Sequence, residues 1–282
     1  MIFLVIKLWK KWLLQSNTWI PTITFIPLLY AIGWVIAKPF NLIWTNLQSE
    51  DISLIGTFFT FILFLLLLPS WVIIRWGNKN PYFELGIKSS NSFRSILYFS
   101  KGFLEAIFLI FLILLLCWYG SWIESFEPVS SSILINGIVL GIGVGLAEEL
   151  VFRGWLLGEL NNLLGPRIGI ICQAAIFSTS HITIYSSLNE MFSVGFGLFV
   201  FGVLLGLKRN LDKGSLWGCI ALHGGLVGTW FVISNEWIEF ASNISHFLIG
   251  PDSFNPNPIG GLFSILMMSL FIFYQRKALI KG

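Results

Sequence analysis

Two adjacent carboxylates, Glu148 and Glu149, lie in the apolar stretch GLAEELVFRGW, with Arg153 four residues after the second. An ionisable group inside a bilayer is costly, so by default it marks a functional site. Two of the three histidines are placed in the same way, His181 in AAIFSTSHI and His223 in GCIALHGGLVG. A carboxylate and two imidazoles can hydrolyse a polar bond in two ways. The carboxylate takes a proton from water while the imidazoles orient that water or stabilise an oxyanion. Alternatively Glu148, His181 and His223 hold Zn²⁺ and leave one position open for water. No HExxH helix occurs in the chain, so the analogy with that protease class is limited.

Helix geometry separates the two glutamates. Glu149 and Arg153 are an i, i+4 pair and share a face. Glu148 points about 100° away, has no such partner on its own helix, and is left for chemistry. The three helices can bring the groups to one level. Counted at ~1.5 Å per residue from the expected helix ends, Glu148 and His223 lie ~14 Å deep and His181 ~20 Å deep. The competing reading is structural: a Glu–Arg pair staples helices together, and a lone membrane histidine donates an interhelical hydrogen bond.

These elements are expected to be transmembrane helices. The 282 residues are 56% hydrophobic and 11% charged, with a mean hydropathy of +0.82. A soluble domain carries roughly 25% charged residues, so lipid is the solvent that fits. Apolar runs at 12–37, 52–74, 106–123, 128–147, 168–189, 191–207, 214–235 and 253–275 predict an all-α polytopic membrane protein of about eight spans. With both termini cytoplasmic, fifteen of the 17 Lys and Arg fall on the cytoplasmic face, as the positive-inside bias requires. The N-terminal MIFLVIKLWKKWLLQ, broken by Lys7, Lys10 and Lys11, reads as an interfacial amphipathic helix. Residues 1–282 are expected to form a single membrane domain. The scattered basic residues and the lack of any such motif exclude nucleic-acid binding. Cys117, Cys172 and Cys219 form no CxxC pair and read as packing residues. Gly137, Gly141, Gly143 and Gly145 read as a close-packing seam.

The polar residues resemble those of the CPBP family, the CAAX-protease and bacteriocin-processing intramembrane proteins. Glu148, Glu149 and Arg153 match its EExxxR motif, and Phe177 and His181 match its FxxxH motif. His223 stands for the histidine of a later helix, which in the family is usually followed four residues on by asparagine. Here that position is Val227. The resemblance covers residues 133–230 as a catalytic core.

It implies an intramembrane endopeptidase in a bacterial or organellar membrane, cutting a peptide bond near the cytoplasmic half of the bilayer. The substrate it implies is a peptide or protein, lipid-anchored in the eukaryotic relatives. It places Glu148, Glu149, His181 and His223 in the catalytic set, supported by Arg153 and Phe177. The family is usually described as metalloprotease-like, which would put Zn on Glu148, His181 and His223, and a metal-free glutamate mechanism has also been argued for it. Valine cannot donate a hydrogen bond, and losing one oxyanion donor typically costs ~10²–10³ in rate. Two other function classes fit the same residues: a catalytically inactive scaffold or partner-binding protein of this fold, and a proton-coupled transporter using the buried Glu and His as a relay.

Overall fold

The computed structural model describes residues 2–14, 19–44, 48–182, 187–251 and 256–275. It divides into two compact units, Met1–Glu84 and Leu85–Gly282.

The first unit holds α1 (Ile2–Leu13), α2 (Trp19–Ala37) and α3 (Ser49–Arg75). Helix α1 bears out the amphipathic reading: Lys7, Lys10 and Lys11 are exposed while Leu13 is buried. Its inner face joins an aromatic cluster, with Trp9 against Phe25, Trp12 against Trp71, and Phe25 4.5 Å from Trp71 between ring centroids. Arg75 Nη1 donates to the Leu13 carbonyl at 2.8 Å and ties the end of α3 to the end of α1. Helix α3 starts at a capping box, in which the Gln48 N–H donates to Asp51 Oδ2 at 2.9 Å, so its first-turn donors are satisfied before the chain becomes apolar.

The second unit contains α4 (Ser92–Tyr119), β1 (Ile123–Phe126), α5 (Ser131–Leu164), α6 (Pro166–Ser180), α7 (Leu188–Leu211), α8 (Trp217–Trp237), β2 (Ile238–Phe240) and α9 (Leu262–Gln275). Strands β1 and β2 pair antiparallel across one end of the helices. Helices α5 and α8 each run through a π-helical stretch, Leu150–Leu156 and Ile233–Trp237. Gly165, at φ 79°, ends α5, and Pro166 opens α6, the glycine-stop and proline-start order that helix termini favour.

Six helices among the described residues are long and apolar enough to cross a membrane: Trp19–Ile43, α3, α4, α5, α7 and α8. The chain is therefore a multi-pass, all-α integral membrane protein. Two of the about eight expected runs give shorter helices among the described residues. The run 253–275 yields only the fourteen-residue α9, after a short 3-10 turn at Pro258–Gly260. The run 168–189 yields α6, which stops at Ser180. There Thr179 and Ser180 donate their hydroxyls back to carbonyls of the last turn. Side chains that bond the backbone in this way compete with helix continuation, and a count of charged residues does not register them.

The glycine seam is real and one-sided. A Cβ on Gly141 would sit 2.5 Å from the Gly224 carbonyl oxygen, and one on Gly145 would sit 2.7 Å from that of Ile220. Helices α5 and α8 thus touch backbone to backbone, which sets the separation between Glu148 and His223. Gly143 faces the other way, with nothing within 4 Å of its position. A second tie is buried: Lys208 of α7 reaches Glu105 of α4 at 3.1 Å and Asp212 at 3.3 Å. The core between α4, α6, α7, α8 and α9 is built from Leu109, Phe177, Phe201, Leu204, Leu222 and Met268, among others.

Gly141→Ala is therefore expected to lower the stability of the solubilised protein by about 1–3 kcal/mol, the usual cost of overpacking. Gly143→Ala should leave it unchanged or raise it slightly, because alanine is the better helix former. Thermal melting of the two variants in the same detergent checks the asymmetry.

Candidate active site

The EE pair sits at the centre of α5, where its α-helical turns give way to the π-helical ones. Such widened turns occur frequently at functional sites. Glu149 is fully buried, as is Arg153, whose Nη1 donates to Glu149 Oε1 at 2.8 Å. The same oxygen takes a second partner, His223 Nδ1, also at 2.8 Å. Sequence reasoning found the first contact and missed the second. Glu149 is more than a neutraliser for Arg153, because it also fixes the ring of His223. Nothing in the sequence signals a contact spanning 74 residues between α5 and α8.

Glu148 points elsewhere, as the helical offset requires. Its side chain is 29% exposed, and Oε2 lies 3.0 Å from His181 Nε2 and 3.9 Å from His223 Nε2. The three groups expected to converge do so. His181 caps the end of α6 rather than sitting in mid-helix. Its Nδ1 is 2.7 Å from the Phe177 carbonyl, and the Ser180 hydroxyl lies 3.2 Å away.

Phe177 supports the site twice. Its carbonyl orients His181, and its ring packs under the guanidinium of Arg153 at 4.2 Å, 4.5 Å from the His181 ring and 5.9 Å from that of His223. A cation over an aromatic face in a desolvated site is worth about 2 kcal/mol, which offsets part of the cost of burying Arg153.

These contacts fix the protons. A carbonyl only accepts, so His181 Nδ1 carries a hydrogen and Nε2 faces Glu148. Two acceptors cannot meet at 3.0 Å without a hydrogen between them. Glu148 and His181 therefore share one proton, held on Nε2 or on Oε2. Glu149, paired with Arg153, is a carboxylate and accepts from His223 Nδ1–H. In neutral His223 the Nε2 lone pair is then turned toward Glu148.

A zinc ion would need Nε2 and Oε2 each at about 2.0–2.2 Å from itself. Here Glu148 and His181 are spent on one another. Among the described residues no group of three or more His, Cys, Asp or Glu is gathered to hold a metal. The chemistry below is derived from the side chains alone.

Glu148, His181 and His223 open into a cavity of about 510 Å³. Its walls are mainly aliphatic and aromatic, including Leu140, Val144, Phe201 and Trp230. Val227 is part of this wall, one turn beyond His223. The position where the resemblance expects an amide therefore does face the site. Ser234, Asn235 and Asn257 also line it, and sequence reasoning did not single them out. The first two lie in the π-helical end of α8, and Asn257 lies in the turn before α9. Neither setting leaves a motif.

Breaking the buried pair should cost more than removing it. Glu149→Gln leaves Arg153 uncompensated and is expected to destabilise by about 3–5 kcal/mol. The double variant Glu149→Gln with Arg153→Met should recover part of that loss. A melting temperature unchanged by Glu149→Gln alone would contradict the pairing.

No curated protein and no solved structure matches the chain. Two family models do. Residues 9–80, inside the first unit, match a domain of unknown function, DUF8676. Residues 128–228 match the type II CAAX prenyl endopeptidase Rce1-like family, and this segment carries Glu148, Glu149, Arg153, Phe177, His181 and His223. Residues 128–228 thus form an Rce1-like domain of the CAAX-type intramembrane protease kind, as the resemblance to the CPBP family implied.

Proposed function

We propose that the protein is an intramembrane endopeptidase in which Glu148 activates the attacking water and His181 and His223 orient it. The observation that carries this reading is the approach of both Nε2 atoms to one carboxylate oxygen, at 3.0 and 3.9 Å, at the wall of an apolar cavity. With the shared proton on His181, Glu148 is an anion and can take a proton from water. The hydroxide equivalent adds to the scissile carbonyl carbon, and His181 Nε2–H donates to the oxyanion that forms. The proton held by Glu148 passes to the leaving nitrogen, the C–N bond breaks, and an acid and an amine result. The His223 Nε2 lone pair accepts the water's second hydrogen and sets its orientation. The substrate is a peptide or protein segment at the membrane.

Removing Glu148 is expected to lower cleavage by at least ~10², the lower range for loss of general-base catalysis. Folding should be nearly intact, because the side chain is part-exposed and bears no buried pair. Full activity in purified Glu148→Gln would mean that another group is the base, and the scaffold reading would gain if neither form cleaves any peptide. Activity should also survive thorough chelation. Loss on chelation with recovery on adding Zn²⁺ would move Glu148, His181 and His223 into the ligand role.

Val227 offers a gain-of-function test. Valine leaves the oxyanion with one fewer donor than an amide would supply, so Val227→Asn is expected to raise kcat by ~10² with little change in KM. An unchanged or lower kcat would show that the oxyanion does not form beside this position.

A further inference from the structure

A second hollow adjoins the first. It is a cleft of about 1200 Å³ whose wall includes Ser187, Asn189, Glu190, Ser193 and His246. His181 and Asn257 belong to the walls of both hollows. The two spaces therefore adjoin at His181, whose imidazole shares a proton with Glu148, and at Asn257. Their chemistry differs: among the described residues, the first carries no charged side chain apart from the reactive groups, whereas the second carries a carboxylate and neither Lys nor Arg.

A peptide lying across Glu148 and His181 must continue on both sides of the bond being cut. An extended chain advances about 3.3 Å per residue, so within a few residues each arm enters a different hollow. One arm meets aliphatic and aromatic walls that favour apolar side chains. The other passes Glu190. That carboxylate is held in place: Oε2 accepts from the Ser187 N–H at 2.9 Å, and the Ser187 hydroxyl accepts from the Glu190 N–H at 3.3 Å, a capping box at the start of α7. A fixed negative charge in a cleft with neither Lys nor Arg among its described lining residues selects a positive partner.

We propose that the site selects peptides that are apolar on one side of the scissile bond and cationic on the other, with the apolar arm in the 510 Å³ cavity and the cation beside Glu190. This deepens the endopeptidase reading and takes the position of the cut from it. Glu190 is a specificity residue in this scheme, not a catalytic one.

The test uses full-length protein in detergent carrying Glu148→Gln, so that binding is measured without cleavage. The probes are fluorescein-labelled decapeptides with a common apolar half and a second half bearing paired lysines, glutamines or glutamates. The lysine peptide is expected to bind about threefold to fivefold more tightly than the glutamine peptide, as for a part-exposed ion pair, and the glutamate peptide more weakly than either. Added salt should narrow the spread. Adding Glu190→Gln should abolish the lysine preference. Glu239→Gln, which alters an exposed carboxylate outside the cleft wall, should leave the preference intact.

Equal binding of the three peptides would overturn the proposal, and so would an equal loss of preference in both variants. Cleavage by the unmodified protein is read separately. Glu148-dependent cleavage without charge preference sinks the selectivity and leaves the endopeptidase standing. Charge preference without cleavage supports the selectivity and sinks the endopeptidase.

Discussion

The second unit is organised around one oxygen atom. Glu149 Oε1 accepts from Arg153 Nη1 on its own helix and from His223 Nδ1 on α8, each at 2.8 Å, with the Glu149 and Arg153 side chains fully buried. In so low a dielectric, a lone carboxylate or guanidinium would cost far more than the fold could supply, and each is tolerable only because the other is there. The arrangement has a consequence beyond neutrality. With Nδ1 of His223 committed, only Nε2 is left to face the cavity. One buried anion thus determines which nitrogen of a distant histidine faces the cavity.

Much of this was readable from the chain, for reasons that differ by residue. Spacing alone separates the two glutamates, since an i, i+4 partner exists for Glu149 and not for Glu148. The convergence of Glu148, His181 and His223 follows from three polar groups at similar depth in apolar helices. The contact between Glu149 and His223 does not follow, because sequence fixes a residue's face within its own helix and not the rotation of one helix against another. The end of α6 was also hidden. Charge counting sees an unbroken run through His181, whereas Ser178, Thr179 and Ser180 spend their hydroxyls on backbone carbonyls. The residues of the second hollow left no signal, because Glu190 reads equally well as an ordinary helix cap.

The means of holding the helices follows from the solvent. Lipid tails are as apolar as leucine, so burying leucine between helices gains little there. What remains is close packing and polar contact, and the second unit uses both on the same pair of helices. Gly137, Gly141 and Gly145 let α5 approach α8 to backbone distance, and Glu149 with His223 then closes a hydrogen bond across that short gap. A wider seam would put the bond out of reach and leave Glu149 to Arg153 alone. The glycines and the charged residues are thus parts of one constraint, with packing setting a distance that the polar contact uses.

That constraint bears on how a chain with Val227 can be an enzyme. Each imidazole has one nitrogen occupied by a structural acceptor, the Phe177 carbonyl for His181 and the Glu149 carboxylate for His223. The remaining two nitrogens face Glu148, with one proton shared in the tight contact. An oxyanion needs donors, and neutral His223 offers only a lone pair on its cavity side. The single donor available without adding a proton is therefore His181, when Glu148 is the anion of the pair. Under the proposed mechanism, the state that makes Glu148 a base is the same state that makes His181 a donor. In the proposed mechanism one proton moving across 3.0 Å switches both functions together, so that mechanism does not require an amide at position 227 to run, only to be fast.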